Sequence, residues 1–296
     1  MEQMKTLQDY IALAERRGVT ISALVIEQEA QSARREAAEI VAQMRAQWRV
    51  MREAAQSGLR STERSASGLV GGDAKKLCEY GLRSDGYAGH LALKAAAYAV
   101  AVSEVNAAMG KIVACPTAGS CGILPGALLA AAEKRGFGEE EIVDALFTAS
   151  GVGLVIAENA SISGAEGGCQ AECGTAAAMA AAALAQLGGA SPAAIGQAVA
   201  LALKNLLGLV CDPVAGLVEV PCVKRNGFIA VHAVLAADMA LAGVESVIPV
   251  DEVVEAMRRI GCALPKSLRE TSEAGLADAP TAREIERRLS PNGARA

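Results

Sequence analysis

Histidine is almost missing from this chain: 296 residues hold two, His90 and His232. Neither has a cysteine or acidic partner at ligand spacing, and no Cys-x-x-Cys occurs, so the usual closed Cys/His zinc sets are excluded. Aromatic residues are scarce at 3%, while hydrophobic residues reach 52%. The apolar mass is therefore Ala, Leu, Val and Gly, a composition that favours closely packed helices with small side chains at their contacts. Strand-type alternation is almost absent, and there is no internal repeat. A basic excess is lacking too: the formal net charge of −5 leaves no face for a nucleic-acid partner. The first ten residues contain no apolar stretch, so no signal peptide is expected. Residues 173–203 carry no charge, but Gly188-Gly189-Ala190-Ser191-Pro192 cuts the run in two. The first piece is shorter than the roughly 20 residues that crossing a bilayer needs, and a buried helix in a soluble core is expected.

What the chain does hold is eight cysteines, too many to ignore and too sparse for a secreted disulfide scaffold. A reducing cytoplasm is the expected setting, with metal binding or catalysis as the reason for unusual thiols. Cys169 in Gly-Gly-Cys-Gln, Cys211 in Cys-Asp-Pro and Cys222 in Pro-Cys-Val each sit beside Gly or Pro, far apart in the chain. Three thiolates leave an iron–sulfur cluster one ligand short, and an open iron is a Lewis acid. Cys78 and Cys262 read as small core residues. Cys173, four residues after Cys169, could share its helical face and form a metal pair. By spacing alone, a cluster, a pair and plain core cysteines all stay open.

The periodicity predicts an all-α fold: a helical N-terminal arm over residues 1–60, solvated and without chemistry, then a single multi-helix catalytic domain over 61–290. Helices are expected near residues 6–17, 21–55, 87–106, 128–135, 139–155, 175–187, 192–207, 227–242 and 250–260. Beyond Ser267 the tail reads as polar and surface-wrapping, fraying at Ser290-Pro291-Asn292-Gly293.

Gly-rich loops hold nearly all the reactive residues. Pro116-Thr117-Ala118-Gly119-Ser120-Cys121-Gly122 exposes successive amides and, ahead of a helix, could bind a carboxylate or phosphate. It lacks the Gly-Lys-Ser/Thr ending of a nucleotide loop, and a tight helix–helix connection is the competing reading. In residues 65–76, Ser67, Asp73 and Lys76 offer polar groups beside Gly71 and Gly72, while Asp73 also reads as an N-cap. No lysine stands out as a pyridoxal-phosphate site. Glu166 and Glu172 flanking Cys169, and Lys224-Arg225-Asn226 just after Cys222, are possible acid, base or carboxylate clamp. Lys224 and Arg225 read as a solvated helix start.

Taken together, several loops resemble one family. They are Gly68-Leu69-Val70-Gly71-Gly72-Asp73-Ala74, Asn106-Ala107-Ala108-Met109-Gly110, Pro116-Thr117-Ala118-Gly119-Ser120 and Asn159-Ala160-Ser161-Ile162-Ser163-Gly164-Ala165. The most specific are Gly167-Gly168-Cys169-Gln170-Ala171-Glu172 and the run from Cys211-Asp212-Pro213 to Pro221-Cys222-Val223-Lys224-Arg225-Asn226. Over nearly its whole length the chain is similar to the alpha subunits of bacterial iron–sulfur L-serine dehydratases. The resemblance implies an all-helical fold and a 4Fe–4S cluster on Cys169, Cys211 and Cys222, with one iron open to act on L-serine. It implies that Thr117, Ala118 and Gly119 line the substrate pocket, with Ser67 and Gly68 near it, and that pyruvate and ammonia form without pyridoxal phosphate. Cys115, Cys121 and Cys173 are poor ligand candidates on this reading, and the base is undetermined. Related proteins complete the pocket with a Ser-His-Thr loop; none occurs here, which implies a separate beta subunit. A cluster-dependent L-cysteine desulfidase is the alternative, and a non-catalytic cluster-bearing regulator is a more distant one.

Overall fold

The structure is a computed structural model and describes residues 4–290; the terminal Pro291-Asn292-Gly293 of the expected frayed end lies outside them. Among the described residues there are thirteen α-helices and no strand, as the composition predicts. α1 (Leu7–Arg17) starts on Thr6, whose hydroxyl accepts from the Asp9 amide while the Asp9 carboxylate accepts from Thr6 N–H. It stops at Gly18, which takes the left-handed conformation that a residue without Cβ adopts freely.

The single helix expected over 21–55 is two, α2 (Ile21–Ala33) and α3 (Ala37–Arg60), parted at Arg34 with φ 52°. Packing explains the break, since α2 lies on α7 (Glu139–Asn159) whereas α3 lies on α5 (Gly89–Ala107). Leu7, Tyr10, Ile11, Trp48 and Met51 of these first helices are buried in the same core as the later ones.

At the centre is α9 (Thr175–Leu187), in which every residue from Thr175 to Ala185 is buried. Alanine is what lets α6 (Ile123–Arg135), α7, α10 (Pro192–Lys204) and α11 (Cys222–Leu241) approach it closely. α6 begins five residues before the expected 128, because Pro125 falls in the first turn, where its missing N–H costs nothing. Its Gly122 cap touches α5 so closely that a Cβ there would stand 2.1 Å from the Ala99 carbonyl oxygen. α11 likewise begins earlier than 227, with Cys222 as its first residue. α4 (Asp73–Arg83), the short α8 (Gly164–Gly167), α12 (Val250–Ala263) and α13 (Pro280–Leu289) complete the fold. None of the helices among the described residues is long and apolar enough to cross a membrane.

Candidate active site

The loops singled out in the sequence converge where α11 begins. Cys169 follows α8, and the chain then makes a π-helical turn, Gln170–Gly174, before entering α9. Such turns widen a helix locally and often mark functional positions. Gln170 anchors this turn: fully buried, it donates to the Met257 carbonyl at 2.9 Å and accepts from the Gly208 amide at 2.9 Å. Cys211 is held between backbone partners, its N–H donating to Leu268 O at 3.0 Å and its C=O accepting from Glu270 N–H at 2.8 Å. The segment beyond Ser267 is thus a strap over Cys211 as well as a surface cover.

Cys169, Cys211 and Cys222 come together, close enough that a charge on Cys169 raises both other thiols. Burial is the larger cause in each case, pushing Cys222 up to about 12 and Cys211 higher still. Cys169 moves the other way: the Cys173 thiol donates to it and the Arg225 guanidinium lies beside it, outweighing burial. Cys169 is therefore the thiol that ionises first. Arg225, half-buried, donates to Val210 O at 2.9 Å and to Asp212 Oδ1 at 2.9 Å. It is a structural member of the site, where the sequence suggested a solvated helix start. Lys224 does reach solvent, paired with Asp73 at 2.7 Å.

The 116–122 loop forms the next wall. Thr117 leads a short 3-10 turn, Ala118–Ser120. Three contacts fix it: Asn226 Nδ2 donates to Gly119 O at 2.8 Å, the Gly122 amide donates to Asn226 Oδ1 at 2.9 Å, and Asn106 Nδ2 donates to Ala118 O at 3.3 Å. Asn226 also donates to Cys222 O at 2.9 Å, so one buried side chain joins this loop to a thiol-bearing helix start. Between the loop and the thiols stands Glu172. Its carboxylate accepts from Thr117, lies 3.9 Å from Cys211 Sγ, and is raised by burial.

Ser67 belongs to a third wall. Both Ser65 and Ser67 donate their hydroxyls to the same Glu219 oxygen at 2.6 Å, and Gly68 takes φ 75° to turn the loop. Glu219 lies between Cys211 and Cys222 in sequence, so this bond ties the 65–72 loop to the cysteine segment. Asp73 is the first residue of α4 and not its cap; the buried Glu104 carboxylate accepts from the Asp73 and Ala74 amides instead.

Other cysteines separate cleanly. Cys115 and Cys121 are buried, and the Cys115 thiol donates to Cys121 O at 3.4 Å. Cys78 is half-buried, and Cys262 is exposed, where a core position was expected. Sequence reasoning missed Glu219 and Gln170 as site builders, and it noticed Arg225 and Asn226 only as polar residues after Cys222. Their only signal was that each sits within four residues of a singled-out cysteine. Among the described residues, no three His, Cys, Asp or Glu side chains converge tightly enough for a single metal ion.

A family model described as "Serine dehydratase alpha chain" matches residues 16–277. The chain is 50% identical to a probable L-serine dehydratase alpha chain of Bacillus subtilis, over 96% of this chain and 95% of the relative. It is 43% identical to the L-serine dehydratase alpha chain of Peptoniphilus asaccharolyticus, over 98% and 99%. An L-serine dehydratase of Streptomyces coelicolor is 40% identical over 92% of this chain, but only 60% of the relative is covered.

Proposed function

Because this chain belongs to the serine dehydratase alpha-chain family, we infer that it is the alpha half of an L-serine dehydratase built around an iron–sulfur cluster. The reaction removes water from L-serine, and the product decays to pyruvate and ammonia. What supports a cluster is that Cys169, Cys211 and Cys222, from three separate segments, lie within reach of each other's charge. In a cluster each thiolate takes a different iron, so the sulfurs need not converge as ligands of one ion do. The acidified Cys169 and the cationic Arg225 beside it suit an anionic inorganic centre, with Cys169 and Cys211 buried and Cys222 half-buried.

When bound, a 4Fe–4S cluster on three thiolates supplies a Lewis-acidic iron that makes the serine hydroxyl a better leaving group. The chain's own residues supply the rest of the fit. Thr117, Ala118 and Gly119 receive the substrate carboxylate on a loop held by Asn226 and Asn106. Ser67 and Gly68, pinned through Glu219, line another wall. Glu172 keeps a half-buried carboxylate between this loop and the thiols, while Gly68 and Ala118 leave the substrate side open. No step calls for a lysine Schiff base or pyridoxal phosphate. A separate beta chain carrying a Ser-His-Thr loop completes the pocket, and a reducing cytoplasm keeps the eight free thiols reduced.

The test is anaerobic purification of the chain alone and with its beta chain. Brown protein with about four iron and four sulfide per chain is expected, with no pyridoxal phosphate, and pyruvate from L-serine only when both chains are present. Faster pyruvate release from L-cysteine would move the assignment to a desulfidase. Stoichiometric pyridoxal phosphate in active protein would overturn the cluster reading.

A further inference from the structure

Helix α11 turns an apolar face outward. Phe228 is 79% exposed and Leu235 58%, with half-buried Val231 between them at helical spacing. Beside them runs a groove of about 590 Å³ between α4, α5 and α11, floored by Ala92, Ala96, Val100 and Gly227. The exposed Tyr87 lies just before α5. Contiguous apolar surface of this kind, with an aromatic at its edge, marks an interaction site. The rim at one end is charged: Lys76 and Lys224 both pair with Asp73, at 2.8 and 2.7 Å. Two cations on one carboxylate leave a net positive rim.

We propose that this groove is the seat of the beta chain, an inference that rests on the two-chain reading given above. The Streptomyces relative carries in one polypeptide what this chain has and a further 40% of its length outside the match (100% less the 60% covered). Relatives named alpha chain match this one over 95% and 99% of their own length, so on the two-chain reading the extra part is held without a covalent link, for which an exposed apolar seat is suited. Position agrees. The Asp73–Lys224 pair at the groove's end directly follows the 65–72 loop in sequence and lies two residues from Cys222. A chain lying in the groove therefore reaches the walls of the active site. The partner's matching surface is an apolar side chain for the groove floor with a carboxylate toward Lys76 and Lys224. A second copy of this chain fits less well, because a two-fold contact would set two rims of the same positive sign together.

The experiment titrates cluster-loaded alpha chain with the beta chain of the same organism, reading affinity by sedimentation and function by pyruvate formation. Phe228→Glu and Leu235→Glu should each weaken association at least tenfold, while the pyruvate rate at saturating beta chain stays within about twofold of wild type. Both side chains are exposed, so thermal melts of the variants should match wild type. Lys76→Glu should also weaken binding, and its effect should shrink as salt rises. Ile248→Glu, beyond the far end of α11, should bind normally. Wild-type affinity in Phe228→Glu, with activity still dependent on the beta chain, overturns the seat and leaves the two-chain reading standing. So does a wild-type alpha dimer that Phe228→Glu turns into monomer without change in beta affinity. Full activity of the alpha chain alone overturns the two-chain reading itself.

Discussion

Asn226 and Gly119 stand 107 residues apart in the chain and meet in one hydrogen bond, Nδ2 to carbonyl oxygen at 2.8 Å. The same amide group serves Gly122 and Cys222, so a single fully buried side chain sets the distance between the 116–122 loop and a cysteine-bearing helix. Asn226→Ala leaves two carbonyls and one amide without their partner, at about 1–3 kcal/mol each where water cannot reach. A loss of stability on that order is expected in denaturant titration. A loop displaced by about 1 Å should also cost roughly a hundredfold in kcat/KM. Asn226→Asp keeps the acceptor for Gly122 but sets a carboxylate against two carbonyls, and should be no better than alanine.

Glu219 gives a second, milder case. One of its oxygens accepts from both Ser65 and Ser67, bonds strengthened by the carboxylate charge. Glu219→Gln keeps an acceptor but removes the charge, so the 65–72 loop should loosen without collapse. The expected result is a KM for L-serine several-fold higher, with iron content unchanged by metal analysis. Loss of iron in this variant would mean that Glu219 supports the cysteines more than the loop.

The cysteines sort by substitution. Cys169→Ser, Cys211→Ser and Cys222→Ser should each abolish bound iron and the broad absorption near about 400 nm typical of such clusters. Cys78→Ser and Cys262→Ser should leave both intact. Cys173→Ser is the sharper comparison, since its side chain touches Cys169 but stands outside the proposed ligand set. A serine hydroxyl can still donate there, and iron should be retained. Iron lost from Cys173→Ser and kept in Cys222→Ser would reassign the ligands.

Arg225 is expected to be needed for stability more than for chemistry. Asp212 is 3% exposed and takes both the Arg225 guanidinium and the Leu276 amide. Arg225→Met strands that carboxylate, at a cost on the order of 3 kcal/mol for breaking a buried pair. The measurement is a denaturation midpoint before cluster loading, and a double variant with Asp212→Asn should recover part of the loss.

The all-helical fold was legible because composition and periodicity leave little alternative: α9 and α5 fall close to where Ala-rich periodicity puts them. Helix starts were less legible. Pro125 and the residues around Cys222 look like turns in one dimension, yet both are first-turn positions where helix geometry tolerates them. Arg34 breaks a helix with no Gly or Pro to announce it, because the cause is the placing of α5 and α7, which no local pattern records. The thiols and the 116–122 loop drew notice through their chemistry. Gln170 and Glu219 did not, and Asn226 did only as a neighbour of Cys222, since a buried amide or carboxylate is recognised only by the distant backbone or hydroxyl groups it satisfies.

The strap over Cys211 also orders the protein's history. Synthesis proceeds from the N-terminus, so Cys169, Cys211 and Cys222 all leave the ribosome before Leu268 and Glu270 exist to close on Cys211. During that interval the thiols have no roof. On the proposed cluster reading, the inorganic centre can be assembled into an open bowl late in translation, with the short segment 267–290 closing over Cys211 afterwards.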